Sequence, residues 1–349
     1  MIHKRSWLLA GAALLLLIAG LWLSLHRSSV QGELGGGRLF ADLAPAVGEV
    51  SEIRLSKGDG SRVTLRRQPA GWTVVEREYA ADASRVRELI LSLAHMKIIE
   101  HKTSDPANYA RLGVEAPDSP TAASTLLEVV AGQKTWALLV GKNAEGRAVY
   151  VRKPKDPVSA LAEPAITVDP DPKRWLDRQI TDIANASIRE ISVKAAAAPA
   201  YLLSRAAGAG QDLALSPVPK GRTPASSMSL NAQADALTAF NFDDMRPLAE
   251  NAPAATDRTT FRTFDGQVLE FAGRKEGGKA YVAVTASREA SLAAADNSAP
   301  ADKPADQAAE RLAARAQGIE FEIPLYKYDS LFKPQEQLLE PKEAGPKKQ

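Results

Sequence analysis

The chain contains no cysteine. That excludes disulfides, thiolate nucleophiles, iron–sulfur clusters and cysteine-based zinc sites. Histidine is nearly as scarce, with only His3, His26, His95 and His101. Two of these flank an apolar run near the N-terminus, which leaves His95 and His101 for any chemistry in the body. There is no H-E-x-x-H, no G-x-S-x-G elbow, no Walker A and no G-x-G-x-x-G loop. Aromatic residues make up only 6% of 349 residues. Trp72, Trp136 and Trp175 are spaced as core anchors, not clustered as in a carbohydrate cleft. Charge of one sign is also missing. The formal net charge is +2, and Arg66, Arg67 and Arg77 sit among Glu76 and Glu78. No basic field therefore points to nucleic acid. No cofactor or metal site is expected.

The carboxylates read as structural. Asp171, beside Asp169, is placed to cap a short helix. Asp243 and Asp244 are expected to end an amphipathic helix before Pro247. Asp257, Asp265 and Glu270 fall on strands or turns with no local partner. His101, near Asp105, reads as a surface-loop histidine. The expectation is a protein that binds or assembles and is not an enzyme.

One long apolar run is present. Trp7 to Leu25 (WLLAGAALLLLIAGLWLSL) is 19 residues without a charge. As a helix it would span about 28 Å, close to the hydrocarbon thickness of a bilayer. Leu16 lies at its middle, and Trp7 and Trp22 lie near its ends, where amphipathic rings favour the interface. Lys4 and Arg5 precede it, which favours a cytoplasmic N-terminus. A signal peptide is the rival reading. Its apolar stretch is usually shorter, and no A-x-A site follows here. The expected topology is an uncleaved single-pass anchor over residues 1–27 in the inner (cytoplasmic) membrane. The body is then periplasmic or extracytoplasmic.

A Gly-rich tether over 28–44 leads into an α+β body. Val50–Ser56 and Arg62–Arg67 alternate as half-buried strands around Asp59-Gly60, and Trp72–Val75 makes a third strand. Asp82 can cap a helix with Val86, Leu89, Ile90 and Leu93 on one stripe, which puts His95 on the exposed face. A short helix over Pro106–Leu112 ends at Gly113. Strands follow at Thr125–Val130, Thr135–Val140 and Ala148–Arg152. The pattern then recurs in order: Ser51-Glu52-Ile53 with Arg189-Glu190-Ile191, His95-Met96-Lys97 with Asp244-Met245-Arg246, Gly132-Gln133 with Gly266-Gln267, and Val149-Tyr150-Val151 with Ala280-Tyr281-Val282. This predicts two similar repeats of antiparallel strands with a packed helix, at 45–184 and 185–335. A low-complexity insertion at 287–316 is expected to be disordered or loosely helical, and the tail at 336–349 disordered. The last strand is expected at Ile319–Ile323. After it Tyr326, Tyr328 and Phe332 cluster between Pro324 and Pro334, as candidates for contact with a partner; the plainer reading is that they pack the last strand onto the core.

Several stretches together resemble the domain-of-unknown-function 4340 family: VSEIRLSKGDGSRVTLRR, GWTVVERE, ARLGVEAP, LLVGK, VYVRKP, WLDRQI and EIPLYKYDSL. The resemblance runs over roughly residues 39–335. It implies a membrane-anchored extracytoplasmic protein associated with gliding-motility-type ABC transport systems. The implied partners are the membrane and a permease, ATPase or auxiliary subunit. The resemblance carries no catalytic residues. The leading expectation is a non-catalytic accessory subunit docking such a complex. A stand-alone ligand-binding or cell-envelope scaffold protein is the alternative, and a carboxylate-based envelope hydrolase stands last.

Overall fold

The computed structural model describes residues 36–144, 146–196, 198–205, 211–289 and 304–341. The apolar run with Trp7, Leu16, Trp22 and Leu25 lies outside them, as does most of the predicted tail. Among the described residues no helix is long and apolar enough to cross a membrane. The fold is α+β with antiparallel sheets and few helices. The chain divides into two compact units, Met1–Leu176 and Asp177–Gln349.

The first unit runs β1 (Val50–Ser56), β2 (Arg62–Gln68), β3 (Gly71–Val74), β4 (Tyr79–Ala80), α1 (Ala83–His95), β5 (Lys97–His101), α2 (Tyr109–Leu112), β6 (Thr125–Ala131), β7 (Lys134–Asn143), β8 (Val149–Arg152) and β9 (Ser159–Glu163). These strands form one sheet in the order β4-β3-β2-β1-β6-β7-β8-β9-β5. The alternation in the sequence sets the core face. Ile53, Leu55, Val63, Leu65, Leu127 and Val129 are essentially fully buried. Gly60 takes the positive φ that the β1–β2 turn demands. The Asp82 side chain accepts from the Ser84 and Arg85 amides and so starts α1. Val86, Leu89, Ile90 and Leu93 face inward, and His95 is exposed. Replacing Leu93 by Ala should therefore cost roughly 2–5 kcal/mol. Replacing His95 should stay within about 0.5 kcal/mol. Urea midpoints of the two variants check the helix face, and equal losses would contradict it.

The second unit runs β10 (Gln179–Thr181), β11 (Ile188–Lys194), β12 (Tyr201–Ser204), β13 (Ala214–Ser216), α3 (Ser227–Asn231), β14 (Phe240–Asn241), β15 (Asp244–Pro247), β16 (Asp257–Thr263), β17 (Gln267–Glu276), β18 (Lys279–Arg288), α4 (Pro304–Ala316), β19 (Ile319–Ile323) and α5 (Leu325–Leu331). Its main sheet is ordered β13-β12-β11-β16-β17-β18-β19-β15, and β10 pairs with β14 separately. In each unit the opening strand (β1 or β11) pairs on one side with its hairpin partner. On the other side it pairs with the first strand of a four-strand meander. In each, the strand that enters the sheet after the helix (β5 or β15) closes the far edge. A register irregularity also falls at matching places, Val50/Glu52 and Ile188/Glu190.

Several expectations are corrected. Asp244 does not end a helix; it opens β15. The helix stops at Asn231, 3-10 turns continue to Leu237, and Ala239 takes a positive φ. From there Phe240, Phe242 and Met245 go inward, and Phe242 stacks on Phe321 at 4.9 Å. His101 is not in a loop: it ends β5, pairs with Ala160 and is half-buried. Part of the insertion is ordered. Ser287 and Arg288 belong to β18, and α4 buries Ala309, Leu312 and Ala316. The intervening residues 290–303 lie outside those described.

Candidate functional site

The C-terminal aromatic cluster forms around α5. Pro324 precedes the helix, where its missing N–H costs nothing. The cluster splits into two faces. Tyr328 and Phe332 are 3% and 4% exposed, whereas Leu325 and Tyr326 are 47% and 70% exposed. Tyr328 and Phe332 thus pack into the core, as the plainer reading has it, and are not surface contacts. Tyr326 remains, and Leu325, which the sequence reading passed over, joins it.

The buried face is fixed from several strands. Tyr328 and Phe332 pack ring to ring at 4.5 Å. They sit over Gly273 of β17, where a β-carbon would collide with both rings. Only a residue without a side chain allows this approach. The Tyr328 hydroxyl donates to Asp257 at 2.6 Å, and the Lys275 ammonium lies 5.1 Å from its ring. The carbonyls at the end of a helix have no partner within it. Here those of Ser330 and Leu331, with that of Lys333 two residues past the helix, are taken up by buried side chains from distant elements. The Thr259 hydroxyl donates to Leu331 O at 2.7 Å, the Gln233 amide to Ser330 O, and the Tyr201 hydroxyl to Lys333 O at 2.8 Å. The helix is consequently held in place, and its first turn presents Leu325 and Tyr326 outward.

Electrostatics follow from this burial. Burial raises the Tyr201 phenol above its ordinary 10.0, and burial with the Asp257 charge does the same for Tyr328. The folded state thus favours both neutral phenols. Stability from them is present below pH 10.0 and is lost as pH rises from there toward the folded values. Urea midpoints measured from about pH 8 to about pH 11 should fall, and Tyr328→Phe should flatten part of that fall. Lys327 is lowered by burial, with Asp243 partly offsetting it; its ammonium donates to Ala239 O at 3.0 Å.

The carboxylates singled out in the sequence have structural partners. Asp171 accepts from the Lys173 amide at 3.0 Å, and Asp169 lies 3.5 Å from Arg174. Asp257 takes the Tyr328 proton donor, Glu270 pairs with Arg258, and Asp265 accepts from Thr263. Of these three contacts only that of Asp265 is local in the chain; the partners of Asp257 and Glu270 lie 71 and 12 residues away and are brought in by the fold. Among the described residues no group of three or more His, Asp or Glu could hold a metal ion. A buried ion cluster that the sequence reading missed lies on one face of the second sheet. Glu320 there receives both Arg274 and Arg246.

No curated protein and no solved structure matches the chain. The profile described as Domain of unknown function (DUF4340) matches residues 72–259. That stretch runs from β3 into β16, across more than half of the 349 residues, and the chain belongs to this family.

Proposed function

We propose that the protein is a non-catalytic, membrane-anchored accessory subunit that docks an ABC-type transport complex through its extracytoplasmic body. The observation that carries this reading is the α5 platform. An exposed Leu325–Tyr326 pair stands on a helix whose other face and C-terminal carbonyls are fixed by buried groups. An aromatic anchor on a preorganised element is what a docking hot spot needs, because little side-chain order has to be lost on binding. The 19-residue apolar run supports the anchor. The partner class follows from the family resemblance. We also propose that the two units are copies of one hairpin–helix–meander ancestor. The shared strand order and the matching irregularities at Val50/Glu52 and Ile188/Glu190 support that history.

Tagged full-length protein purified from detergent-solubilised membranes is expected to bring down an ABC-type permease or ATPase. Tyr326→Asp should lose it and Tyr326→Phe should keep it. Retention of the partner by Tyr326→Asp would move the docking surface elsewhere. A single carboxylate variant that folds normally yet abolishes function would replace docking with chemistry. The topology has its own check: a C-terminal alkaline phosphatase fusion should be active, and a cytoplasmic reporter at the same place silent.

A further inference from the structure

The outer edge of the first sheet carries an unusual combination of charge and exposed apolar side chains. β5 is its terminal strand. The chain arrives along that edge from its N-terminal side. Arg38 bridges Lys97, the Ile98 amide donates to Gly37 O at 3.1 Å, and the Leu39 amide donates to Met96 O at 2.8 Å. Beside this strand lies a concavity of about 640 Å³, lined by Arg38, Lys97, Arg147, His95, Ile98 and Ile99, with Glu163 as the carboxylate in its wall. Arg38, Lys97 and Arg147 are exposed, and none makes an ion pair among the described residues. That separates them from Arg54, Arg66 and Arg262, each held by a glutamate on its own sheet. Ile99, the residue at the register shift of β5, is 36% exposed, and Leu91 is 40% exposed. Leu91 lies one turn before His95, whose Nδ1 meets the Leu91 carbonyl at 2.8 Å, so both occupy the outer face of α1.

The position of this patch along the chain matters as much as its composition. Ten residues, 26–35, separate Leu25 from Gly36. Even fully extended they reach only about 35 Å. An anchor ending at Leu25 therefore keeps the β5 edge close to the bilayer. Unpaired cations with exposed aliphatic side chains suit the headgroup region, where phosphates lie outside and acyl chains beneath. We propose that the β5 edge of the first unit is a contact for anionic phospholipid headgroups, with Arg38, Lys97 and Arg147 meeting phosphate oxygens and Ile99 and Leu91 entering the interface. The proposal rests on the anchor reading above and adds a second, charge-selective attachment to it.

The absence of native cysteine allows a direct test. Full-length protein carrying Ile99→Cys is labelled with an environment-sensitive fluorophore. It is reconstituted in vesicles of phosphatidylcholine with or without phosphatidylglycerol and probed with nitroxide-labelled lipid. Gln68→Cys, on β2 and six strands away in the sheet order, is the control. Carbonate extraction reports the anchor independently. Quenching at Ile99 is expected in phosphatidylglycerol vesicles and not at Gln68. It should fall by about half or more in Arg38→Glu/Lys97→Glu/Arg147→Glu and at high salt, since screening weakens exposed charge contacts. An anchored protein whose Ile99 label is unquenched, or quenched equally in neutral vesicles, overturns the headgroup contact and leaves the anchor standing. A carbonate-extracted protein overturns the anchor. In that case, Ile99 quenching by phosphatidylglycerol vesicles still supports the contact, and its absence overturns it.

Discussion

Replacing Glu320 by Ala is expected to cost about 3–5 kcal/mol, because it strips the buried Arg274 guanidinium of its nearer counter-charge. Glu320 is 2% exposed on β19. Its carboxylate meets the two terminal nitrogens of Arg274, at 2.7 and 2.9 Å, and the Arg246 Nε at 2.5 Å. Arg246 also reaches Glu276 at 2.8 Å and lies 3.9 Å from the Tyr281 ring. Burial works against the Arg246 charge, yet Glu320 and Glu276 outweigh it and hold its pKa above the ordinary value. Arg274 has less to fall back on. It is itself buried, and its contact with Glu276 is longer, at 3.4 Å. Removing one member of a buried pair is worse than removing both, since the remaining charge keeps its desolvation cost. The double variant Glu320→Leu/Arg274→Met should therefore lose less than Glu320→Ala alone. Chemical denaturation of the three proteins decides it. A single variant less damaging than the double would mean that the cluster is solvated in practice.

That cluster also shows where sequence reading stops. Ile-Glu-Phe-Glu-Ile over 319–323 is an alternating strand, and β19 has those bounds. Alternation puts Glu320 and Glu322 on one face, but it cannot say that this face is covered at Glu320. The partners come from β15 and β17, 74 and 46 residues earlier in the chain. The elements that were legible carry their signal locally. β1 and β2 alternate, and α1 has a capping Asp82 with an apolar stripe behind it. The elements that were missed take their form from tertiary pairing. β5 has two adjacent isoleucines across a register shift, so its period-two pattern is broken. β9, Ser-Ala-Leu-Ala-Glu, has side chains too small to give a hydrophobic signal, yet it is buried between β8 and β5. α4 lies in a stretch whose composition reads as low complexity, but β17 and β18 provide a surface for its small residues. The same limit divides the candidate site. The aromatic cluster was visible from its spacing. Which ring goes inward was not, because Gly273 and Thr259 make that choice from β17 and β16.

Phe332→Ala and Tyr326→Ala are expected to separate folding from docking. Phe332 is 4% exposed and packs against Tyr328 over Gly273. Truncating it removes a ring from a site that the strands hold open, so about 3–5 kcal/mol of stability should go. Tyr326 is 70% exposed, and its loss should change stability by no more than about 0.5 kcal/mol. In partner binding the order should reverse for protein that remains folded. Tyr326→Ala should weaken capture of the membrane complex by about 2 kcal/mol or more, the scale of an aromatic hot spot. A milder probe guards against simple unfolding. Gly273→Ala forces a β-carbon into the Tyr328 and Phe332 rings, and overpacking of this kind costs about 1–3 kcal/mol. It should displace α5 while leaving most of the protein folded, and so weaken capture with the Tyr326 side chain intact. The three variants, compared by thermal unfolding and by quantitative pull-down, test whether the platform matters. If Tyr326→Ala and Gly273→Ala both capture the complex as well as the parent chain does, α5 is not the docking surface, whatever Phe332 contributes to the core.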